Sequence, residues 1–474
     1  MPVNVPNSEY TLHLPTWLMV KDAIAGFNSP AIQKRLREYV PKVESHDDSQ
    51  YQNYCSRAVW FAATSRTLDA WVGMICRKSP TSEIPDSIEV LGEDVDLHRT
   101  PLITYVAEVI RQLCSLGRAG TLIDWSADGN RPYLTFYETL AIINWKYDVN
   151  PLTGKVKLQY IVLKEEYSTD ESDEFTSIQA TQYRVLKMTP DWTGVVVEIH
   201  RKVGDGWAIH ETKELKKGVQ PLPEIPFVIH SNAIGIDCFS TAPLGDIAVM
   251  NFAHLRNSAD FENALHIAGL PTPWAAGFTD DNTKGPLVIG TTAAWCSSDP
   301  NAKCGFLEFQ GQGLQPLENA MKTKEAQMAA MGARVLEQKS SGNEAFDTVQ
   351  LRAASETNSL TEIADAASRS CSLVLAWCAY WANPGSSVKL EELTKETAYV
   401  TVSKEFTSST ASPTQISAWL QAYNSGAISF ETFFFNMQRG EQYETGRTLE
   451  EEKDAIAQEA PPAPRTPPVN PNAA

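Results

Sequence analysis

The sequence predicts an α+β protein, and three features support this prediction. Apolar residues recur at helical spacing over residues 51–78 and 101–116. Residues 121–230 then change to short β-branched and aromatic runs separated by Gly, Asp and Asn, which predicts a largely antiparallel sheet. From residue 243 the helical patterns return, so the order is helices, sheet and helices again.

The first helical region begins with a short stretch near "WLMVKDAIAGF". Residues 51–78 follow, with a helical apolar pattern that a Ser-Pro pair ends. A helix over about 101–116 is opened by Pro101 and stopped by Gly117 and Gly120. Both segments are typical of packed helices.

The sheet region contains six candidate strands. They are "TLIDW", "PYLTFYE", "LQYIVLKEEYS", "TQYRVLKMT", "GVVVEIHRKV" and "GWAIHETKEL". Several of them alternate apolar and polar residues, as "TGVVVEIHRKV" does after Val196. Alternation predicts a sheet with one buried face and one face in water.

A long helix is predicted from Pro243, at its start, to Gly269, just past its end. It would be about 39 Å long at about 1.5 Å per residue. Its apolar residues lie on more than one side, including Ile247 and Phe261 but also Phe252 and Ile267. We therefore expect this helix to pack against several neighbours.

The order of elements after this helix is the main organisational feature of the chain. Residues 270–313 contain short Pro- and Gly-rich strands, which predict a small β insert. Helices are predicted over 314–338 and 347–382, with the break "KSSGNEAF" between them. Beyond Pro384 come a strand at "AYVTVSKEF" and two short helices around Gly426. The tail from about residue 446 is charged and then rich in Pro and Ala, so we expect it to remain disordered.

Composition and motifs exclude several classes of function. The net charge of −18, from 58 acidic and 40 basic residues, argues against sequence-reading DNA binding but is compatible with a wall past which DNA moves. There is no P-loop and no GxSxG, and "GQGLQP" is typical of a turn. The eight cysteines lack CxxC spacing, which predicts free thiols, and Cys371 and Cys378, seven positions apart on one helical face, are predicted to be small buried apolar groups. No apolar run is long enough for a membrane span and no secretory signal is visible, so use in a cytosol is expected.

A polar cluster on the long helix raises the question of a metal or catalytic site. Its members are His254, Arg256, Asp260, Glu262 and His266. Only Glu262 and His266 have the spacing of four that places ligands on one helical face, and no HExxH is present. We therefore expect no metal, no cofactor and no catalytic residue here. A metal-dependent hydrolase using His254, Glu262 and His266 remains an alternative.

Three segments resemble the portal proteins of tailed bacteriophages, and within them the podovirus-type group. They are "AHLRNSADFENALHIAGLPTPWAAG" (253–277), "LDAWVGMICRKSP" (68–80) and "SAWLQAYNSGAISFETFFFNMQRGE" (417–441). The resemblance covers roughly residues 50–445. It implies a portal-protein fold with a helical stem, a mixed α/β wing and a small β-rich clip.

Carried over to this sequence, the resemblance implies the following boundaries. The wing would span 1–242, the first stem helix 243–269, the clip 270–313, the second stem helix 314–338 and the tunnel loop 339–346. Residues 347–445 would form the long wing helix with a C-terminal wing and reduced crown, and 446–474 a disordered tail.

The implied function is that of a ring of about twelve subunits at one capsid vertex, a non-enzymatic channel for genome packaging and ejection. The implied partners are the major capsid protein, the terminase, a tail adaptor or head completion protein, and double-stranded DNA passing non-specifically. The ring would assemble in the host bacterial cytoplasm, become part of the virion and contact no membrane. A virion structural or scaffold protein without a channel is the other alternative.

The resemblance also assigns roles to polar residues. The DNA-facing tunnel loop would contain Lys339, Ser340, Ser341, Gly342, Asn343 and Glu344. The polar residues of the first stem helix, from His254 to His266, would pair between neighbouring subunits or face the channel.

Overall fold

The computed structural model confirms a mixed fold of helices and antiparallel sheets. It describes residues 2–169, 178–233, 241–269, 272–278, 295–297, 299–307, 313–333, 346–383, 398–406, 413–440, 442–443 and 447–458. The chain divides into two compact units, Met1–Lys404 and Glu405–Ala474.

Five helices precede or flank the first strands of the larger unit. They are α1 (Ser8–Ala25), α2 (Pro30–Tyr39), α3 (Asp48–Arg57), α4 (Ala63–Ile75) and α5 (Leu102–Ser115). α3 begins with a capping box, in which Asp47 and Gln50 exchange side-chain and backbone hydrogen bonds. α5 agrees with the helix predicted over about 101–116, and its inward face contributes a buried stripe to the core.

The helix predicted over 51–78 is in fact two helices, α3 and α4, separated at residues 58–62. The segment between them bonds to α6 (Gly245–Gly269) instead of continuing a helical ladder. The Val59 amide donates to Ser258 Oγ at 2.9 Å, and Asn251 Nδ2 donates to the Phe61 carbonyl at 2.6 Å. Tertiary hydrogen bonds thus replace the local ones that the apolar periodicity predicts.

The strands are β1 (Thr81–Glu83), β2 (Arg118–Ser126), β3 (Arg131–Glu138), β4 (Ile142–Val149), β5 (Val156–Ser168), β6 (Gln179–Met188), β7 (Val195–Val203), β8 (Gly206–Lys217), β9 (Gln220–Pro221), β10 (Phe227–Ser231), β11 (Thr272–Ala276), β12 (Lys303–Leu307) and β13 (Tyr399–Thr401). The predicted sheet region is two sheets, one with order β10-β2-β3 and one with order β4-β5-β6-β7-β8-β9. Both are antiparallel throughout, as predicted.

The alternation predicted for β7 is present. Val195, Val197 and Ile199 are buried, whereas the residues between them are partly exposed. A β-bulge between Ile199 and His200 shifts the pairing with β8 by one residue. β7 therefore has one packed face and one partly exposed face, whereas β5 and β6 bury consecutive residues and so bury side chains on both faces.

The core of the larger unit lies where α5 and α8 (Phe346–Ala382) pack against the three-stranded sheet. Cys371 and Cys378 on α8 are both buried, as the sequence predicts, among small residues that allow close packing. All seven cysteines in the described part of the chain are free thiols.

α7 (Leu314–Met328) is shorter than the helix predicted over 314–338. It continues as a π-helical turn, Ala329–Ala333, in which Gly332 has a φ of 119°. A Cβ at Gly332 would lie 2.7 Å from Trp71 Cζ2 on α4, so only glycine fits this contact without movement. Residues 334–338 lie outside the described part of the chain.

The smaller unit contains the two helices predicted around Gly426, α9 (Pro413–Asn424) and α10 (Phe430–Arg439), and a third, α11 (Leu449–Gln458). The expectation of disorder from residue 446 is therefore wrong over α11. This helix has a capping box, with the Thr448 amide donating to Glu451 Oε2 at 2.8 Å and the Glu451 amide to Thr448 Oγ1 at 3.2 Å. Local capping, not apolar burial, stabilises its start.

Candidate functional site

α6, the hairpin β11-β12 and α7 form the candidate functional element. All nine buried residues of α6 lie between Gly245 and Ala259, and residues 260–269 contribute none. α7 buries one residue, Met328 near its C-terminal end. None of the residues 260–269, 273–278, 303–306 and 314–327 is buried within the chain, and we call the segments 260–269, 272–278, 303–307 and 314–327 the arm.

The arm exposes large apolar side chains. The exposed fractions are 40% for Leu265, 53% for Ile267, 38% for Trp274 and 56% for Phe306. In the hairpin, Trp274 pairs with Gly305 across the strands, and a Cβ at Gly305 would lie 3.0 Å from Trp274 Nε1. The indole thus lies over the glycine and keeps part of its apolar surface in water. Because Trp274 pairs with Gly305 and Phe306 with Pro273, the two rings lie on opposite faces of the hairpin, so the arm exposes apolar side chains on more than one side.

The base of the arm is held by a polar contact between a buried histidine and a partly exposed glutamate. His254 on α6 is 5% exposed, and its Nε2 lies 3.1 Å from Glu325 Oε1 on α7. The Phe61 ring packs on the imidazole with centroids 5.3 Å apart. Burial lowers the pKa of His254, and the hydrogen bond with Glu325 opposes this effect. His254 was expected to face a channel or a neighbouring subunit, and this is wrong because Phe61 and Glu325 of the same chain enclose it.

Two other polar residues of α6 also have partners within the chain. Tyr54 on α3 donates its hydroxyl to Asp260 Oδ1 at 2.6 Å, and Arg256 donates to the Tyr39 carbonyl at 3.3 Å. The pKa of Tyr54 is raised by burial and by the bond to Asp260. These bonds fasten the middle of α6 to the N-terminal helices.

Glu262 and His266 lie on the arm, and pairing between subunits stays a prediction for them. Glu262 is partly exposed and His266 is exposed. His254 and His266 are twelve positions apart on one helix, which is about 18 Å at about 1.5 Å per residue. The structure therefore does not bring His254, Glu262 and His266 together, and no group of three or more His, Cys, Asp or Glu residues in the described ranges could hold a metal ion.

The predicted DNA-facing loop cannot be placed. Its residues Lys339, Ser340, Ser341, Gly342, Asn343 and Glu344 lie outside the described part of the chain. Three residues at the base of the arm were not predicted from the sequence, because no motif marks their positions. They are Glu325, Phe61 and Tyr54. Among the described residues, no helix combines the length and the apolar character needed to cross a membrane.

Comparison with known families places one match on this element. Residues 243–382 match a family model described as a domain of unknown function, DUF4055. The matched region starts at the beginning of α6 and ends at the last residue of α8, so it contains α6, the hairpin, α7 and α8. No curated protein matches the chain.

Among solved structures, similar chains come from gene transfer agent (GTA) particles. A chain of the virion of the native GTA particle has a TM-score of 0.39 and 10% identity, with 83% of this chain and 94% of that chain covered. A chain of the neck of the empty GTA particle, computed with C6 symmetry, has a TM-score of 0.38 and 9% identity. The match covers 83% of this chain and 94% of that chain. A chain of the neck of the native GTA particle, computed with C12 symmetry, has a TM-score of 0.37 and 10% identity. The match covers 78% of this chain and 88% of that chain.

Proposed function

We propose that this chain is the portal subunit of a tailed bacteriophage or phage-like particle. It would form a ring at one capsid vertex through which the genome is packaged and ejected. The single observation that carries the proposal is the arm, which extends two helices and a hairpin beyond the buried part of the chain with apolar side chains exposed. The sequence resemblance to portal proteins provides the family context.

A ring accounts for the arm in physical terms. In a closed ring each subunit contacts two neighbours through different surfaces, since the interface is heterologous. A helix in such a ring needs apolar residues on more than one side. α6 and the hairpin meet this requirement, because Ile267, Leu265 and Phe306 are all exposed.

The charge suits a conduit for DNA. Twelve copies of a chain with net charge −18 would carry about 12 × −18, or −216. A wall of this sign repels phosphates and would let double-stranded DNA pass without holding it. Under this proposal, Lys339 and Glu344 of the loop would lie near the axis, and any contact of Lys339 with phosphate would be weak and screened by salt.

The proposal assigns docking to the hairpin end of the arm. α6 and α7 lead to and from the insert 270–313, so the insert would lie at the far end of the stem. There it would meet the terminase during packaging and the tail adaptor afterwards. Residues 1–242 and the end of α8 would form the wing, which would contact the major capsid protein.

Mass photometry and negative-stain imaging of the purified full chain test the proposal. We expect closed rings of about twelve subunits with a central hole. Monomers and dimers alone, over a range of concentration and salt, would contradict it. Assemblies of another symmetry without a hole would instead favour a virion structural protein that forms no channel.

A further inference from the structure

The contact between His254 and Glu325 joins α6 to α7 where the buried half of α6 ends and the arm begins. Nε2 of His254 lies 3.1 Å from Glu325 Oε1. An ionised carboxylate only accepts hydrogen bonds, so Nε2 carries the hydrogen and donates it. In the neutral imidazole Nδ1 then has no hydrogen. This nitrogen is buried and has no hydrogen-bond partner among the described residues.

Few fully buried side chains fix the position of α6 along α7. α7 buries only Met328, and α6 buries nothing beyond Ala259. A polar contact contributes to the register when its donor is buried, because sliding one helix would leave that donor without its acceptor. His254 is such a buried donor, and the partly exposed Glu325 is its acceptor.

The charged groups that face the imidazole are few. Glu325 accepts its hydrogen bond, and the ammonium of Lys324, also on α7, disfavours a second positive charge. Phe61 contributes an uncharged ring. α1, α3 and α4 also pack against α6, and among their described residues none presents a charge that shifts the pKa of His254.

We propose that His254 and Glu325 form a proton-sensitive latch that fixes the register of α6 against α7 and releases the arm when Nδ1 takes up a proton. The proton would come from solvent and bind Nδ1. The imidazolium then has a second N–H, buried and without an acceptor, beside Phe61. Opening of the α6-α7 contact would hydrate this N–H. The latch acts within one chain and does not depend on the ring.

Hydrogen exchange of the full chain tests the latch. Amides of residues 255–265 and 318–328 are compared at about pH 7.5 and about pH 5.5, after correction for intrinsic rates, since ordinary histidines titrate in this range. We expect exchange several-fold faster at the lower pH in the wild type. In His254→Gln, which keeps an N–H donor but does not titrate, the pH effect should be absent. His266→Gln, on the exposed part of the same helix, is the matched control and should keep it.

A second variant keeps the test decisive if His254→Gln folds poorly. Glu325→Gln retains an acceptor oxygen but removes the charge that favours the imidazolium in the closed state, so opening should begin at a higher pH than in the wild type. Two results would overturn the latch. One is a wild-type arm whose corrected exchange is independent of pH, and the other is a midpoint for opening that Glu325→Gln leaves unchanged or lowers.

Discussion

The ring of Tyr39 on α2 lies face to face with the ring of Phe252 on α6, with centroids 3.9 Å apart and planes 9° apart. The Tyr39 hydroxyl donates to Asp22 Oδ2 on α1 at 2.5 Å. Phe252 is 2% exposed and also contacts Trp60. This pair therefore anchors the buried half of α6 to the N-terminal helices, and the arm extends from that anchor.

Phe252→Ala should lower the free energy of unfolding by about 3–5 kcal/mol, because it leaves a cavity under Tyr39 and Trp60. Tyr39→Phe keeps the stacked ring and loses only the bond to the buried Asp22 carboxylate, so a loss of about 1.5–3 kcal/mol is expected. Denaturant unfolding followed by circular dichroism measures both. A loss below about 1 kcal/mol for Phe252→Ala would mean that the ring contact is not an anchor.

Gly332→Ala should destabilise the chain more than an alanine at another glycine with positive φ. The new methyl group would meet the Trp71 ring at 2.7 Å, in addition to the cost of φ 119°. Gly204 has φ 58° and open space around its Cβ position, so Gly204→Ala is the matched control. The control should cost about 1–2 kcal/mol and Gly332→Ala about 1–3 kcal/mol more. Equal losses of thermal stability would show that Trp71 moves away without cost.

Stability should fall with acid because of His230. Burial lowers its pKa to about 3 from the usual 6.5, and the ring bonds to Thr121 Oγ1 at 2.8 Å. Below about pH 6.5 the unfolded chain binds a proton that the folded chain does not bind. The free energy of unfolding therefore falls by up to about 1.4 kcal/mol per pH unit as the pH decreases toward 3.

The measurement compares the pH dependence of unfolding in the wild type and in His230→Gln. The slope, rather than the absolute stability, isolates the histidine, because other acid effects are common to both proteins. The free energy of unfolding should depend less steeply on pH in the variant, by an amount that corresponds to the uptake of up to one proton on unfolding. Identical slopes would mean that His230 titrates normally in the folded chain.

Replacement of Ile267 and Phe306 by serine should abolish or weaken assembly without unfolding the chain. Both side chains are more than half exposed, so their loss should change the stability of the monomer by less than about 0.5 kcal/mol. Ile209→Ser is the control, since Ile209 is equally exposed on β8 outside the arm. Mass photometry should show smaller species for the Ile267 and Phe306 double variant but not for Ile209→Ser. Unchanged assembly in the double variant would place the subunit interface elsewhere.

Lys339→Ala should leave ring assembly and thermal stability nearly unchanged and should alter the amount of genome packaged or retained. The reason is that an exposed contact between one ammonium and phosphate is weak but repeated around a ring. Lys202→Ala, at an exposed position on β7, should change neither property. A stability loss of several kcal/mol, comparable to a core deletion, would show that Lys339 is buried and that its placement at the channel is wrong.

The sequence by itself determined most of the secondary structure. The periodicity of α5 and α6 and the alternation in β7 are local patterns. Each apolar or polar side chain in them indicates only which face of its own helix or strand it lies on. The Pro243 and Gly269 signals placed the ends of α6 within two residues, because capping is also local. Cys371 and Cys378 were correctly predicted as buried for the same reason.

Only the tertiary structure decided which polar residues are buried and which apolar ones are not. His254 lies 71 positions before Glu325, and Val59 lies 199 positions before Ser258, so neither hydrogen bond leaves a trace in local spacing. The same holds for the arm, where Ile267 belongs to the same helix as the buried Phe252 yet remains exposed. Burial depends on how many distant segments reach a given turn of the helix. α1, α3 and α4 all pack against α6, and α3 hydrogen-bonds to it as far along as Asp260 and Asn263, after which α6 continues toward the hairpin.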